Sequence, residues 1–234
     1  MSAHRPVPCC SLAPRETIAR HVHPRAYATL VLEGGYEEAG ESGRWQVRAG
    51  DVLLHAPFSA HWNHAPMRGA RVLNLPLSDV VRHSACGRVD DPDAIARVAA
   101  NDPREAAHAL MQAWRAGEQG LADTPDLLAR ALSDPDGARV QAWSREQGIA
   151  RATAFRWFRA AYGVGPTRYR IEARARRAWR TIVDSTADLA EVAAAAGYAD
   201  QSHMNRDVKA FTGYSPGGWR SRIVRQHSFK TAAG

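Results

Sequence analysis

The sequence predicts a multidomain α+β protein: an N-terminal antiparallel β-barrel with helices after it, then an all-α segment built as a tandem helix-turn-helix. Three observations lead there. Short β-prone runs broken by turn signals fill the stretch from Ile18 to Leu77, the texture of small barrels and double sheets. Helical periods replace them between Asp90 and Leu132. After Gly137 one pattern occurs twice at an offset of 50 residues, so one supersecondary unit is used twice.

Each element has its own signal. Tyr27–Glu33 is β-prone, and Gly34-Gly35 after it signals a tight turn. In Arg44–Arg48, apolar Trp45 and Val47 alternate with polar neighbours. Ala49-Gly50-Asp51 turns into Val52–His55, Pro57 closes that run, and Arg71–Leu77 reads as the last strand. Ala94, Ile95, Val98 and Ala99 make one helical face; Ala106, Ala107, Leu110, Met111 and Trp114 make another. Asp102 is a cap candidate with Pro103 in the first turn, and Thr124-Pro125 starts a third helix. Ser133–Gly137 is the best linker candidate. The expected divisions are 1–82, a helical segment 83–137 suited to dimerisation, and 138–225.

With 234 residues, 45 % of them apolar and 24 % charged, the composition excludes a disordered, collagen-like or coiled-coil chain. No apolar run approaches the ~18 residues of a membrane span, and Met1–Pro6 offers no apolar core for a secretion signal. Three cysteines, Cys9, Cys10 and Cys86, make no disulfide framework, so a reducing cytoplasm is expected. The net charge of +7 is unevenly spread. Residues 1–132 hold 14 Arg against 15 acidic residues, whereas the rest hold 17 basic against nine acidic. A basic half points to a polyanion partner.

The repeat pairs Phe158–Arg170 with Val208–Arg220, and Ser144-x-x-x-Gly148 with Ala193-x-x-x-Gly197. A small residue four before a glycine lets one helix end and the next cross it closely. The second helices are expected over Arg151–Tyr162 and Asp200–Thr212, with Asp200 an N-cap. In such a unit the second helix enters a major groove. Met204, Val208 and Phe211 would pack inward, leaving Gln201, Ser202, Asn205, Arg206 and Lys209 outside. In the first unit Ala154, Phe158 and Ala161 pack inward, leaving Arg151, Ala152, Phe155, Arg156 and Arg159 outside. Gln and Asn pair with adenine and Arg with guanine. Arg168, Arg170, Arg174, Arg176, Arg177 and Arg180 stud the helix between the units and suit phosphates.

These residues resemble the tandem helix-turn-helix domain of AraC-type (AraC/XylS) bacterial transcription regulators, most closely over Leu189–Pro216. The resemblance implies two recognition helices in successive major-groove segments of double-stranded DNA. Base contacts would fall to Gln201, Ser202, Asn205 and Arg206, and in the first unit to Ala152, Phe155 and Arg156. Phe155 stands where the family often has a polar reader, which suits a thymine methyl. RNA polymerase is a further partner if the protein activates.

In the first part, His21-x-His23-Pro24 sits at a strand start and His61-x-Asn63-His64 follows Pro57. They resemble the two half-motifs of cupin barrels, which many AraC-type regulators carry as effector domains. That implies a divalent metal at His21, His23 and His61, joined by His55 if it reaches; neutral imidazoles suit zinc, iron, nickel or copper. The family's glutamate is missing, with Tyr27 and Ala28 about where it stands. The same histidines also fit a metal-free pocket, which Tyr27, Trp45 and Trp62 could line for a small-molecule effector. The expected function is a ligand-responsive, sequence-specific regulator, not an enzyme, with no cofactor required and a homodimer as one assembly. The alternatives are a metal-dependent cupin enzyme fused to a DNA-binding tail, and a regulator that needs no ligand.

Overall fold

The structure is a computed structural model that describes residues 9–78, 81–117, 120–137 and 139–231. The chain divides into two compact units. One runs to Leu127 and takes in Trp157–Gly163; the other holds Leu128–Arg156 and Val164 onward. No described helix is long and apolar enough to cross a membrane.

In the first unit the strands are β1 (Cys9–Leu12), β2 (Thr17–Val22), β3 (Tyr27–Gly40), β4 (Gly43–Arg48), β5 (Asp51–His55), β6 (Ala60–His64), β7 (Ala70–Pro76) and β8 (Ala85–Arg88). Helices α1 (Pro92–Ala99) and α2 (Pro103–Ala113) and the short β9 (Arg115–Ala116) follow, and α3 (Thr124–Ser133) starts in this unit and ends in the other. One antiparallel ladder runs β1-β7-β3-β5-β8-β9, and a second joins β2 to β6, β6 to β3 and β3 to β4. Among the described residues the ladders do not close into a ring. The expected barrel is thus an open pair of sheets sharing β3. Nor is β7 the last strand, since β8 pairs with β5.

Strand β3 is also longer than expected. It runs straight through Gly34-Gly35, where a turn was signalled, because Gly34 takes a φ of 67° inside the strand. A Cβ there would collide with the Gly69 carbonyl, so glycine serves close backbone approach rather than a turn. The register against β7 shifts between Val31 and Glu33. As a result, Tyr27–Leu30 pair with β5 in one sheet, whereas Glu37–Ala39 pair with β6 in the other.

Alternation along β3 sends Ala28, Leu30 and Leu32 to one face, where Ile95, Ala106 and Leu110 of α1 and α2 cover them. Burying a leucine this fully contributes about 1.5–3 kcal/mol. The other face sends Val31 into a cluster with Leu12, Tyr36, Val47, Leu53 and Val72. Asp102 caps α2 as expected, accepting from the Arg104 and Glu105 amides.

The remaining helices are α4 (Val140–Glu146), α5 (Arg151–Tyr162), α6 (Pro166–Asp184), α7 (Leu189–Ala195), α8 (Gln201–Thr212) and α9 (Pro216–Thr231). The second half of α5 belongs to the first unit, where the Tyr162 hydroxyl donates to buried Asp126 at 2.8 Å. The doubled turn has the same hydrogen bonds both times. Ile149 N–H donates to the Ser144 carbonyl and Tyr198 N–H to that of Ala193, each at 2.9 Å. Gly148 and Gly197 supply the left-handed residue, at φ 64° and 78°. This is a Schellman stop, and buried Ser144 and Ala193 let the next helix pass close by.

Candidate functional site

On α8 the Asp200 carboxylate accepts from the His203 amide at 2.7 Å, fixing the helix start as the sequence predicts. Met204 and Val208 are fully buried. The third inward residue is Thr212 rather than Phe211, which is only partly buried; the Thr212 hydroxyl donates back to the Val208 carbonyl and accepts from the Trp219 indole. Gln201, Ser202, Arg206 and Lys209 are exposed and Asn205 partly so. A helix period of 3.6 puts these five on one face. On α5, Ala154, Phe158 and Ala161 are buried. Arg151, Ala152, Arg156 and Arg159 are exposed. Phe155 lies under the Arg151 guanidinium, 5.2 Å from ring centre to Cζ, so this face presents a cation stacked on an aromatic instead of amides.

The arginines of α6 do not all serve phosphates. Arg174 lies over the Tyr198 ring at 4.0 Å and pairs with Asp207 at 3.2 Å. It also donates to the Gly197 carbonyl. It therefore clamps the turn and α8 onto α6. Arg176 is buried, Arg168 pairs with Glu172, and Arg177 donates to the Ser133 carbonyl. Apart from Glu172, one turn along α6 itself, helix period alone could not show these partners, because they come from other elements.

In the first unit a second group of residues converges. His21 and His61 face each other across β2 and β6, and Tyr27 faces His55 across β3 and β5. His21 lies near the end of β2, not at a strand start, and His23 lies just past it. Ring centres are 4.3 Å apart for His21 and His61 and 4.6 Å for His55 and His61. Tyr27 stacks on His55 at 4.3 Å and shares a 3.1 Å hydrogen bond with His61 Nε2. His21, His23 and His61 each offer a donor atom within 4.8 Å of the others. Trp45 is elsewhere, packed beside the apolar cluster and donating to Ser42, and Trp62 stacks on His64.

Burial sets the protonation of this pocket. It pulls His55 down to about 3, helped by His23 and His21. His23 is held at about 4 by burial and then by His21, and His61 is also pushed well down. Neutral imidazoles keep a lone pair for a ligand. His21 Nδ1–H donates to the Ala19 carbonyl at 2.9 Å, which leaves Nε2 with its lone pair, the usual support of a metal-bound histidine.

The sequence reading missed Glu38. It is 4 % exposed, and burial pushes its carboxyl up to about 8 against the Tyr36 hydroxyl and Arg20. It stands 15 residues beyond His23, and only the sharing of β3 between two sheets brings it in.

Residues 143–222 match the helix-turn-helix domain family. Similar solved structures include the DNA-binding domain of AdpA in complex with a target DNA, 23 % identical over 45 % of this chain and 96 % of that one, with TM-score 0.42. ToxT from Vibrio cholerae O395 is 10 % identical over 92 % of this chain and 95 % of that one, with TM-score 0.41. An AraC-type regulator from Chromobacterium violaceum is 17 % identical over 43 % and 88 %, with TM-score 0.38. No curated protein matches the chain. A Schellman-stopped helix followed by a capped helix with an open polar face, in a segment matching that family, is a helix-turn-helix DNA-binding domain.

Proposed function

We propose that this protein is an AraC-type transcription regulator that is effector-responsive, with a cupin-like sensing unit walled by His21, His23, Tyr27 and His61. A divalent metal ion is the effector class these donors suit best. The observation that carries this reading is the convergence of three histidines whose donor atoms lie within 4.8 Å of one another. A metal enzyme needs a coordination position open to substrate; with His55 and His61 each 2 % exposed, sensing fits better. The resemblance supports operator reading by Gln201, Ser202, Asn205 and Arg206 on α8 and by Arg151, Ala152, Phe155, Arg156 and Arg159 on α5. A homodimer would read two half-sites, and an activator would also touch RNA polymerase.

The test is selection of bound sequences from a random DNA pool by the full chain, with and without chelator, followed by titration of the recovered site. The expected result is salt-dependent binding whose affinity moves about fivefold or more when the ion is removed. Equal affinity across divalent ions, chelator and a metabolite panel would end the sensing reading.

A further inference from the structure

The sensing reading places the effector among three histidines; the inference here rests on it and names the ion's ligands. Glu38, His55 and His61 are all buried, and each offers a donor atom within 4.8 Å of the other two. Glu38 Oε1 lies 3.7 Å from His55 Nδ1. Donors about 2.1 Å from one tetrahedral ion stand about 3.4 Å apart, so a few tenths of an ångström seat an ion between Glu38 and His55, and His61, within 4.8 Å of both, closes on it by a side-chain adjustment. We infer that Glu38, His55 and His61 form the inner seat for a divalent transition ion, with His21 and His23 on its outer side.

A relay of hydrogen bonds orients His55 for this work. The Asn74 amide donates to Cys10 Sγ at 3.6 Å, which leaves its oxygen to accept from the Thr29 hydroxyl at 2.9 Å. With its proton engaged, the Thr29 oxygen faces His55 Nε2 at 3.4 Å as an acceptor. The ring proton therefore sits on Nε2, and Nδ1 turns a lone pair toward the carboxylate. Glu38 Oε1 and His55 Nδ1 share one position, held by the carboxyl proton in the empty pocket and open to a cation in its place, and Glu38 Oε2 is buried with no hydrogen-bond partner among the described residues. A cation satisfies both groups. Two imidazoles and one carboxylate suit zinc, iron(II), cobalt or nickel, whereas magnesium and calcium prefer all-oxygen cages.

The experiment is titration of chelator-stripped full-length protein with Co2+, read by visible absorption, with circular dichroism as the folding control. Wild type binds one Co2+. Glu38→Gln, which keeps size and removes charge, loses more affinity than His21→Ala, and the surface variant His108→Ala matches wild type. Thr29→Val keeps all three ligands but frees the His55 tautomer, and it binds about tenfold more weakly; this variant carries the test if Glu38→Gln misfolds. An equal or larger loss for His21→Ala, or wild-type affinity in Thr29→Val, overturns the inner seat while leaving metal sensing in place. No Co2+ uptake by wild type overturns both.

Discussion

In the sheet unit the reactive groups are buried: Glu38, His55 and His61 sit behind two sheets, and burial decides their protonation. On α8 the proposed reading groups Gln201, Ser202, Arg206 and Lys209 stand in solvent. The charged ones would act through salt-screened contacts with a polyanion. The first region should therefore answer to pH and ions, and the second to ionic strength and base sequence.

The largest effect expected is on the stability of the chelator-stripped sheet unit against pH. His23 and His55 have folded values near 4 and 3, below the ordinary 6.5. Their contribution is intact above about pH 6.5 and drains as pH falls toward 4, because the unfolded chain takes up protons first. Glu38 acts in the other direction: its folded value near 8 lies above 4.5, so its neutral form favours the fold at low pH and stability declines as pH rises toward 8. Urea melts should thus place the optimum near pH ~6.5, and Glu38→Gln should flatten the alkaline limb. Parallel pH curves for sheet and helical units would break the comparison.

Next in size, Arg174→Ala should destabilise the helical unit by about 1–3 kcal/mol, read as a lower urea midpoint. The salt slope of DNA binding should not change, since this arginine holds Tyr198 and Asp207 rather than phosphate. Arg206→Ala should do the converse, costing ~1–3 kcal/mol at one base pair with stability intact. If both variants lose specificity alike, the division into clamp and reader fails. The smallest effect is on Cys86, whose thiol burial and then Asp51 push up to about 12. It should alkylate far more slowly than exposed Cys9 at pH 8, as peptide mapping would record.

The helical unit was legible because its signals are local and doubled. The small-x3-Gly turns, the Asp200 cap and the 3.6-residue stripe all lie within one or two turns of each other. Phe211 slipped because Thr212, one residue on, fills the inward position. Arg174 was misread as a phosphate contact since its partners lie 23 to 33 residues away. In the sheet unit the paired His-x-His and the His61 segment announced three histidines. Gly34-Gly35 disguised the length of β3, and with it the route by which Glu38 reaches them. The open pair of sheets was the alternative that strand spacing alone could not separate from a barrel.

Since Tyr27, Thr29 and Glu38 all hang on one strand, the composition of the pocket is a matter of parity. Deleting a single residue between Thr29 and Glu38 would keep the first two in place and rotate the carboxylate to the opposite side of the pleat. Removing two would restore its direction one step nearer. Length changes in this strand should therefore alternate between mute and competent sensors.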